Sequence, residues 1–150
     1  MKKSVLEFEP MLASPLIQQF EGIRLESYLC PAGIWTIGVG HTKGVKPNMK
    51  ITRVEAFELL RQDLLDTQDD LASLVKVPIT QGMFIALMSF VFNFGISKCR
   101  KYSLFKELNQ GNYKASAEWF PKYCNPGSNF EAGLKKRRLA EQECFMRFGL

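Results

Sequence analysis

The sequence predicts an α+β fold in which a small antiparallel sheet near the N-terminus is followed by a mainly helical part. Strand-favouring and turn-forming residues concentrate between residues 24 and 50, and helical periodicity dominates after them. The chain of 150 residues, 46% of them hydrophobic, is long enough for one domain with its own core. We therefore expect a single domain, residues 1–150, comprising an N-terminal arm (1–13), a helix and sheet lobe (14–50) and a helical lobe (51–150).

The first predicted helix is short and carries a glutamate at its end. Residues 1–13 show no hydrophobic period, so they predict an arm or a loose helix. Ser14 can cap a helix and Pro15 fits the first helical turn, which places the start there. Because Gly22 favours termination, Glu21 is expected at the C-terminal end of this helix.

The following segment predicts a small sheet of two or three antiparallel strands. Tyr28 and the residues from Ile34 to Val39 favour strands, since β-branched and aromatic side chains fit a pleated surface. A turn is indicated between them by the run from Pro31 to Gly33.

The remainder of the chain has the pattern of a helical lobe. Thr52 and Glu55 have the spacing of a capping box and open a long amphipathic helix that Pro78 closes. The later predicted elements are a buried helix over Met83–Phe94 ending at Gly95, a helix over Ser103–Gln110, a helix capped by Asn112 and running to Phe120, a loop over residues 121–129, and a last helix over Gly133–Phe148.

The charge of the chain indicates an acidic partner without identifying it. Lys and Arg number 20 against 15 Asp and Glu, which gives a net charge of +5. Nucleic acid, an anionic membrane surface and an anionic wall polymer all fit such a balance. Since no basic stripe alternates with aromatic residues, we do not expect a nucleic-acid partner.

No segment predicts membrane insertion or secretion. The dense apolar part of the buried helix covers about a dozen residues, short of the ~20 that a spanning helix needs. Near the N-terminus, Glu7, Glu9 and Pro10 interrupt the place where a signal peptide has its apolar region. We therefore expect accumulation in the cytoplasm and no stable insertion into a membrane.

The cysteines and the lone histidine do not form a metal-binding pattern. Cys30, Cys99, Cys124 and Cys144 include no C-x-x-C pair, and His41 is the only histidine. Because a zinc site needs about four ligands at suitable spacing, neither a metal nor another cofactor is expected. Four cysteines in a chain of this length are also too few for a disulfide framework, so free thiols are expected.

Glu21 is the candidate general acid. A carboxyl group beside Phe20 and the aromatic residues of the sheet would lie in apolar surroundings, which disfavour the charged form and raise a carboxyl pKa. A carboxyl group that keeps its proton near neutral pH can act as a general acid. Taken alone, a glutamate at a helix end fits a solvated surface carboxylate equally well.

The wider spacing around Glu21 is more specific. Cys30 follows nine residues later and Thr36 six residues after that, in a glycine- and aromatic-rich segment that ends in Thr-Ile-Gly-Val-Gly-His-Thr. This segment resembles the phage lysozymes, a glycoside hydrolase family whose pattern has Glu, then Asp or Cys, then Thr at these spacings. The segments 89–95 and 133–141 also resemble that family, and the resemblance extends over residues 14–148.

The resemblance implies a lysozyme-like fold with a cleft between the sheet lobe and the helical lobe. It also implies a monomeric enzyme for host cell lysis that hydrolyses the β-1,4 bond between N-acetylmuramic acid and N-acetylglucosamine of bacterial peptidoglycan. Carried onto this sequence, Glu21 is the proton donor, Cys30 takes the second catalytic position, and Thr36 lies near the attacking water. The chain would leave the host cytoplasm through a holin-like pore to reach the periplasm.

The thiol at the second position leaves the mechanism open. Glycosidases usually use two carboxylates, and an ordinary Cys is only a few per cent thiolate at pH 7. Either Cys30 takes part directly, or Glu21 and Thr36 position water with minor help from it, or it is an inert buried cysteine. The same replacement motivates the alternative function, a catalytically impaired wall-binding or membrane-disrupting protein.

Four further features have structural and functional interpretations. Asn93 is a candidate sugar contact at the end of the buried helix, and His41 is another, although packing within the sheet lobe is favoured for it. Glu26 is expected on the surface or paired with an arginine such as Arg138. The basic run over residues 135–138 is expected to be a solvated helix face with one arginine turned inward to a carboxylate, rather than a contact for anionic polymer or lipid.

Overall fold

The computed structural model describes all residues from 1 to 150 and has the expected α+β architecture, with one small sheet and seven α-helices. The elements, in chain order, are α1 (Ser14–Glu21), β1 (Arg24–Leu29), β2 (Trp35–Gly38), α2 (Arg53–Leu74), α3 (Gln81–Phe94), α4 (Ile96–Cys99), α5 (Ser103–Asn109), α6 (Tyr113–Trp119) and α7 (Glu131–Met146). Three short 3₁₀-helices cover Val5–Glu7, Pro10–Ala13 and Phe120–Lys122.

The N-terminal segment, expected as an arm or a loose helix, packs into the core. Val5 and Phe8 are buried, and the peptide groups of Lys3 and Ile79 exchange two hydrogen bonds of 2.7 and 2.8 Å. The buried Gln68 amide donates to the carbonyls of Val5 and Phe8 at 3.1 and 2.9 Å. Isolated apolar residues among charged ones give no period, which is why the sequence pattern did not reveal this packing.

α1 ends as the sequence predicts. Gly22 adopts φ 68°, a left-handed conformation that glycine takes without strain, and its N–H closes the last turn onto Gln18. Ser14 is the first helical residue rather than the cap, and its hydroxyl accepts a hydrogen bond of 2.7 Å from Gln18. The fully buried Ile17 anchors the helix, so Glu21 has a fixed position at its end.

The sheet has two strands. β1 and β2 pair antiparallel, with Tyr28 opposite Thr36 and Leu29 opposite Trp35. The third strand that the sequence allowed is reduced to an isolated bridge between Glu26 and Lys50. Proline and glycine residues before Lys50 shorten any extended run there, which limits the pairing to one position.

The helical lobe is built around α3. Thr52 and Glu55 form the predicted capping box of α2, with hydrogen bonds of 2.9 and 3.1 Å, and Thr80 caps α3 through the Met83 N–H. α3 ends at Gly95, as predicted, and packs most extensively against α7. None of the helices has both the length and the apolar character needed to cross a membrane.

Two elements of the helical lobe differ from the prediction. The short helix α4, anchored by the buried Cys99, was not predicted, because four residues are too few to establish a helical period. α7 begins at Glu131, two residues before the expected Gly133, and ends at Met146.

The contact between α3 and α7 is closest at Gly82. A Cβ atom added to Gly82 would overlap the backbone carbonyl of Cys144 and come within 3.2 Å of the Phe148 ring. The Cys144 thiol also lies 3.4 Å from the Gly82 carbonyl oxygen. The two helices therefore pack backbone to backbone at this point, which only glycine permits.

Candidate active site

A cleft of about 530 Å³ lies at the C-terminal end of α1. Glu21 and Asn93 line it, together with Pro31 from the turn between the strands, Phe130 just before α7, and Arg137 of α7. The cleft is thus bounded on one side by the turn of the hairpin and on the other by the helical lobe.

The Glu21 carboxylate is paired with a buried guanidinium. Oε2 of Glu21 lies 2.5 Å from Nη1 of Arg137, and their side chains are 21% and 6% exposed. The Phe20 ring also lies beside this guanidinium, with its centroid 5.6 Å from the guanidinium carbon of Arg137. The surroundings of Glu21 therefore include more than the expected aromatic neighbours, since an arginine distant in the sequence also reaches the carboxylate.

Gly40 lies directly against the Glu21 carboxylate. It adopts φ +64°, and an added Cβ would come 2.9 Å from Oε1 of Glu21 and 3.0 Å from Cε1 of Phe92. The absence of a side chain at this position gives the carboxylate its space between the sheet lobe and α3.

We expect Gly40→Ala to reduce glycan cleavage by about tenfold or more, because small misplacements of a reacting group can lower a rate by that order. The new methyl group would displace the Glu21 carboxylate or the Phe92 ring. Activity on purified peptidoglycan measures the effect, and Gly44→Ala is the matched control. Gly44 has a similar φ of +71° but no atom near its Cβ position. Equal losses in both variants would attribute the effect to backbone strain alone.

Cys30 and Thr36 meet at one backbone oxygen. The Cys30 N–H donates to the Ile34 carbonyl at 3.0 Å, and the Thr36 hydroxyl donates to the same oxygen at 2.9 Å. Cys30 is partly exposed, whereas Thr36 is 4% exposed. The hairpin thus brings these two predicted residues together, on the strand pair that follows α1.

Tyr28 is a further residue of this region, and the sequence did not identify it as part of the site. Burial raises the pKa of Tyr28, the negative charge of Glu21 acts in the same direction, as does Cys30 when its thiol is ionised, and Arg24 opposes them. Its phenol therefore lies within electrostatic range of both Glu21 and Cys30. Tyr28 precedes Cys30 by two residues, so the two side chains lie on the same face of an extended chain. This spacing is the signal by which the sequence could have identified Tyr28 as a site residue.

His41 is engaged at both ring nitrogens. Nδ1 lies 2.7 Å from an oxygen of Asp63 on α2, and Nε2 lies 2.9 Å from the Lys43 carbonyl oxygen. Burial raises the pKa of the Asp63 carboxyl, and the hydrogen bond from His41 opposes that increase. The side chain of His41 therefore joins the sheet lobe to α2.

Asn93 and Glu26 have contrasting positions. Oδ1 of Asn93 is buried without a hydrogen-bond partner, and the residue lines the cleft beside Glu21. Glu26 is exposed on the sheet, 3.8 Å from the Lys50 ammonium group, and does not line the cleft. Of the two positions expected for Glu26, the surface one is therefore confirmed, whereas the pairing with Arg138 is not formed, since Arg138 pairs with Glu141 on its own helix.

The basic run at the start of α7 has two inward arginines rather than one. Arg137 and Arg138 are buried, whereas Lys135 and Lys136 are exposed. Arg138 contacts the fully buried Glu141 at 2.6 Å. Two successive positions of α7 therefore supply buried cations, one of which reaches the cleft.

Three comparisons with known proteins agree with this geometry. Residues 18–141 match the family model described as phage lysozyme. The chain is 38% identical over 134 residues to an endolysin of Acyrthosiphon pisum secondary endosymbiont phage 1, covering 87% of this chain and 92% of that protein. It is 39% identical over 127 residues to the endolysin of Salmonella phage P22, covering 81% and 87%.

A solved structure shows the same fold. The muramidase domain of SpmX from Asticaccaulis excentricus superimposes with a TM-score of 0.81 at 33% identity, covering 89% of this chain and 94% of that one. The likeness thus extends over the sheet lobe and the helical lobe together.

Proposed function

Because the chain belongs to the phage lysozyme family, whose members hydrolyse peptidoglycan, we propose that it cleaves the β-1,4 bond between N-acetylmuramic acid and N-acetylglucosamine, with Glu21 as the general acid. The observation that carries this proposal is the position of Glu21. It is the glutamate that lines the cleft between the lobes, held there by Arg137.

In the proposed reaction, the protonated Glu21 donates its proton to the glycosidic oxygen as the bond from that oxygen to the anomeric carbon breaks. Positive charge develops on the sugar, and the oxygen of a water molecule bonds to the anomeric carbon. The water loses a proton, so both products end in hydroxyl groups and Glu21 is reprotonated from solvent.

Thr36 is suited to holding the attacking water. Its hydroxyl hydrogen is used in the bond to the Ile34 carbonyl, so its oxygen faces a water molecule only as an acceptor. A water that donates to Thr36 has a lone pair free for the anomeric carbon. Cys30, fixed through its N–H to the same carbonyl, is the neighbouring side chain that contributes to activating this water.

We expect Cys30→Ala to lower glycan cleavage by about 100-fold and Cys30→Asp to retain or raise it, since a carboxylate is the usual second group in glycosidases. Steady-state rates on purified peptidoglycan measure both variants. Thermal unfolding controls for packing, because Ala and Asp both replace a partly exposed side chain. An undiminished Ala variant would contradict direct participation and leave Glu21 and Thr36 to position the water.

Asn93 is proposed as a sugar contact. Its unpartnered Oδ1 beside Glu21 can accept a hydrogen bond from a hydroxyl or acetamido N–H group of the glycan. For His41, whose ring nitrogens are both engaged within the protein, a structural role between the sheet lobe and α2 is supported better than a sugar contact.

The enzyme serves host cell lysis, a function supported by the relatives named endolysins. We propose that it acts as a single-domain monomer, needs no cofactor, and reaches periplasmic peptidoglycan from the cytoplasm through a pore. The alternative of a catalytically impaired wall-binding or membrane-disrupting protein has no support from these relatives.

The test of the proposed bond is mass spectrometry of peptidoglycan digested with the purified protein. Muropeptides ending in reducing N-acetylmuramic acid are the expected products. Reducing N-acetylglucosamine ends would assign the other glycosidic bond, and anhydro ends would indicate a lytic transglycosylase. Intact glycan strands would overturn the proposal.

A further inference from the structure

A buried cluster of charges on α7 contacts the Glu21 carboxylate through one of its members. It consists of Arg137, Arg138 and Glu141 on α7, and we call it the arginine–glutamate cluster. We propose that this cluster fixes the charge balance that lets Glu21 bind and hold its proton, with Glu141 acting as a positioning residue through Arg137. The inference deepens the proposed function and rests on Glu21 being the acid.

Arg137 is shared between two carboxylates. Its Nη1 contacts Glu21 at 2.5 Å, and its Nε lies 3.4 Å from Oε2 of Glu141. The intervening Ser89 on α3 accepts from Nε of Arg137 at 3.3 Å and donates to Oε2 of Glu141 at 2.6 Å. Arg137 therefore keeps a buried acceptor on one side when the charge of Glu21 on the other side is lost.

Arg138 fixes the second carboxylate. It contacts both oxygens of Glu141, at 2.6 and 2.8 Å, and both side chains are fully buried. Its guanidinium also lies 4.9 Å from the ring centroid of Phe90 and 4.4 Å from that of Phe94. Burial raises the pKa of the Glu141 carboxyl, and the contacts with Arg138 and Arg137 oppose that increase by favouring the ionised form.

The charges of this region balance only when all four groups are counted. Arg137 and Arg138 contribute two positive charges, and Glu21 and Glu141 contribute two negative ones. When Glu21 takes up a proton, Glu141 remains as the one carboxylate for two guanidiniums. Without Glu141, both cations would act on Glu21 and oppose its protonation, because a nearby opposite charge favours the ionised carboxylate.

Few other charges face these groups. α3 contributes only the neutral Ser89 and Asn93, and Cys99 of α4, which faces Arg138 and Glu141, is a neutral thiol because burial raises its pKa to about 12. Asp70 of α2, beyond Cys99, faces Arg100. On the cleft side, Tyr28 of the sheet lobe lies within electrostatic range of Glu21, and the exposed Lys136 lines the cleft. No second buried carboxylate can replace Glu141.

Three variants separate the effect of charge from that of structure. Glu141→Gln keeps the shape and removes one negative charge, whereas Arg138→Met removes one positive charge and places an apolar side chain between Phe90 and Phe94. The double variant Arg138→Met/Glu141→Gln restores the balance with neither charge present. Replacing both members of a buried ion pair is often tolerated, whereas removing one is destabilising.

Two readouts are applied to each variant and to the wild type. Carbon-13 NMR of the Glu21 carboxyl, assigned by its loss in Glu21→Gln, reports the midpoint of protonation whether or not the enzyme turns over. The basic limb of the pH–activity profile on peptidoglycan reports the same group during catalysis. We expect the NMR midpoint and the basic limb of the activity profile to move about one pH unit down in Glu141→Gln and about one unit up in Arg138→Met. In the double variant, we expect both quantities to have the wild-type value.

A purely structural role of the arginine–glutamate cluster predicts a different ranking of the variants. It would make the double variant at least as impaired as either single variant and would leave the midpoint unchanged, and either result overturns the inference. If Glu141→Gln does not fold, Arg138→Met and the double variant still decide the matter: a midpoint raised in Arg138→Met but not in the double variant upholds the inference, and equal midpoints in the two overturn it. NMR midpoints that move as expected without any movement of the activity limb would uphold the cluster and instead contradict Glu21 as the acid.

Discussion

Glu21→Gln is expected to lower glycan cleavage by about 10³-fold or more, because the amide cannot deliver a proton to the leaving oxygen. The replacement keeps the shape of the side chain, and its amide oxygen can still accept from Arg137 in place of the present 2.5 Å contact. The fold should therefore persist while the chemistry is lost. Release of muropeptides from purified peptidoglycan, compared at equal folded concentration, measures the effect.

Glu26→Gln is the matched control for that result. Glu26 belongs to the same lobe and is also a carboxylate, but it is exposed and its nearest cation is the Lys50 ammonium at 3.8 Å. Its replacement should leave cleavage within about twofold of wild type, as expected for a surface pair of little energetic importance. If Glu21→Gln cleaves as well as Glu26→Gln, a proton from Glu21 is not required and the proposed mechanism is wrong.

Gly82→Ala is expected to lower the free energy of unfolding by about 3 kcal/mol, at the upper end of what overpacked cores show. The added methyl group would overlap the Cys144 carbonyl, and that oxygen belongs to helical backbone that cannot rotate away as a side chain would. α3 and α7 would have to separate along the most extensive contact of the fold. Urea unfolding followed by circular dichroism measures the loss.

Gly133→Ala separates this effect from helix propensity. Gly133 also lies within a helix, but nothing surrounds its Cβ position, so alanine there should stabilise the protein by about 0.5–1 kcal/mol. Opposite signs for the two substitutions are the expected result. A Gly82→Ala variant as stable as wild type would mean that α7 is less closely packed on α3 than the structure shows.

Local signals in the sequence were sufficient for most of the fold. The Thr52 capping box and the glycines at 22 and 95 each act within one helical turn, and the structure has all three where they were predicted. The hydrophobic content of α3 likewise identified the buried helix. The isolated apolar residues Val5 and Phe8 lack such a local pattern, and their backbone carbonyls are bound by Gln68, 63 and 60 residues away.

The candidate site was more predictable in its sheet half than in its helical half. Spacing selected Glu21, Cys30 and Thr36 as candidates, and the structure places them on α1 and on the hairpin that directly follows it. The environment of Glu21 could not be deduced in the same way, because Arg137 is 116 residues away in the chain. A basic run has the same composition whether its arginines face water or a buried carboxylate, so only the packing of α7 distinguishes the two.

The separation between Glu21 and Arg137 has a consequence for synthesis of the protein. α1 leaves the ribosome early, but the cation that holds its carboxylate belongs to α7, the last helix, and α3 also lacks its main packing partner until then. A nascent chain therefore carries an incomplete site until α7 has been synthesised. Chains that terminate before α7 should be both unstable and inactive.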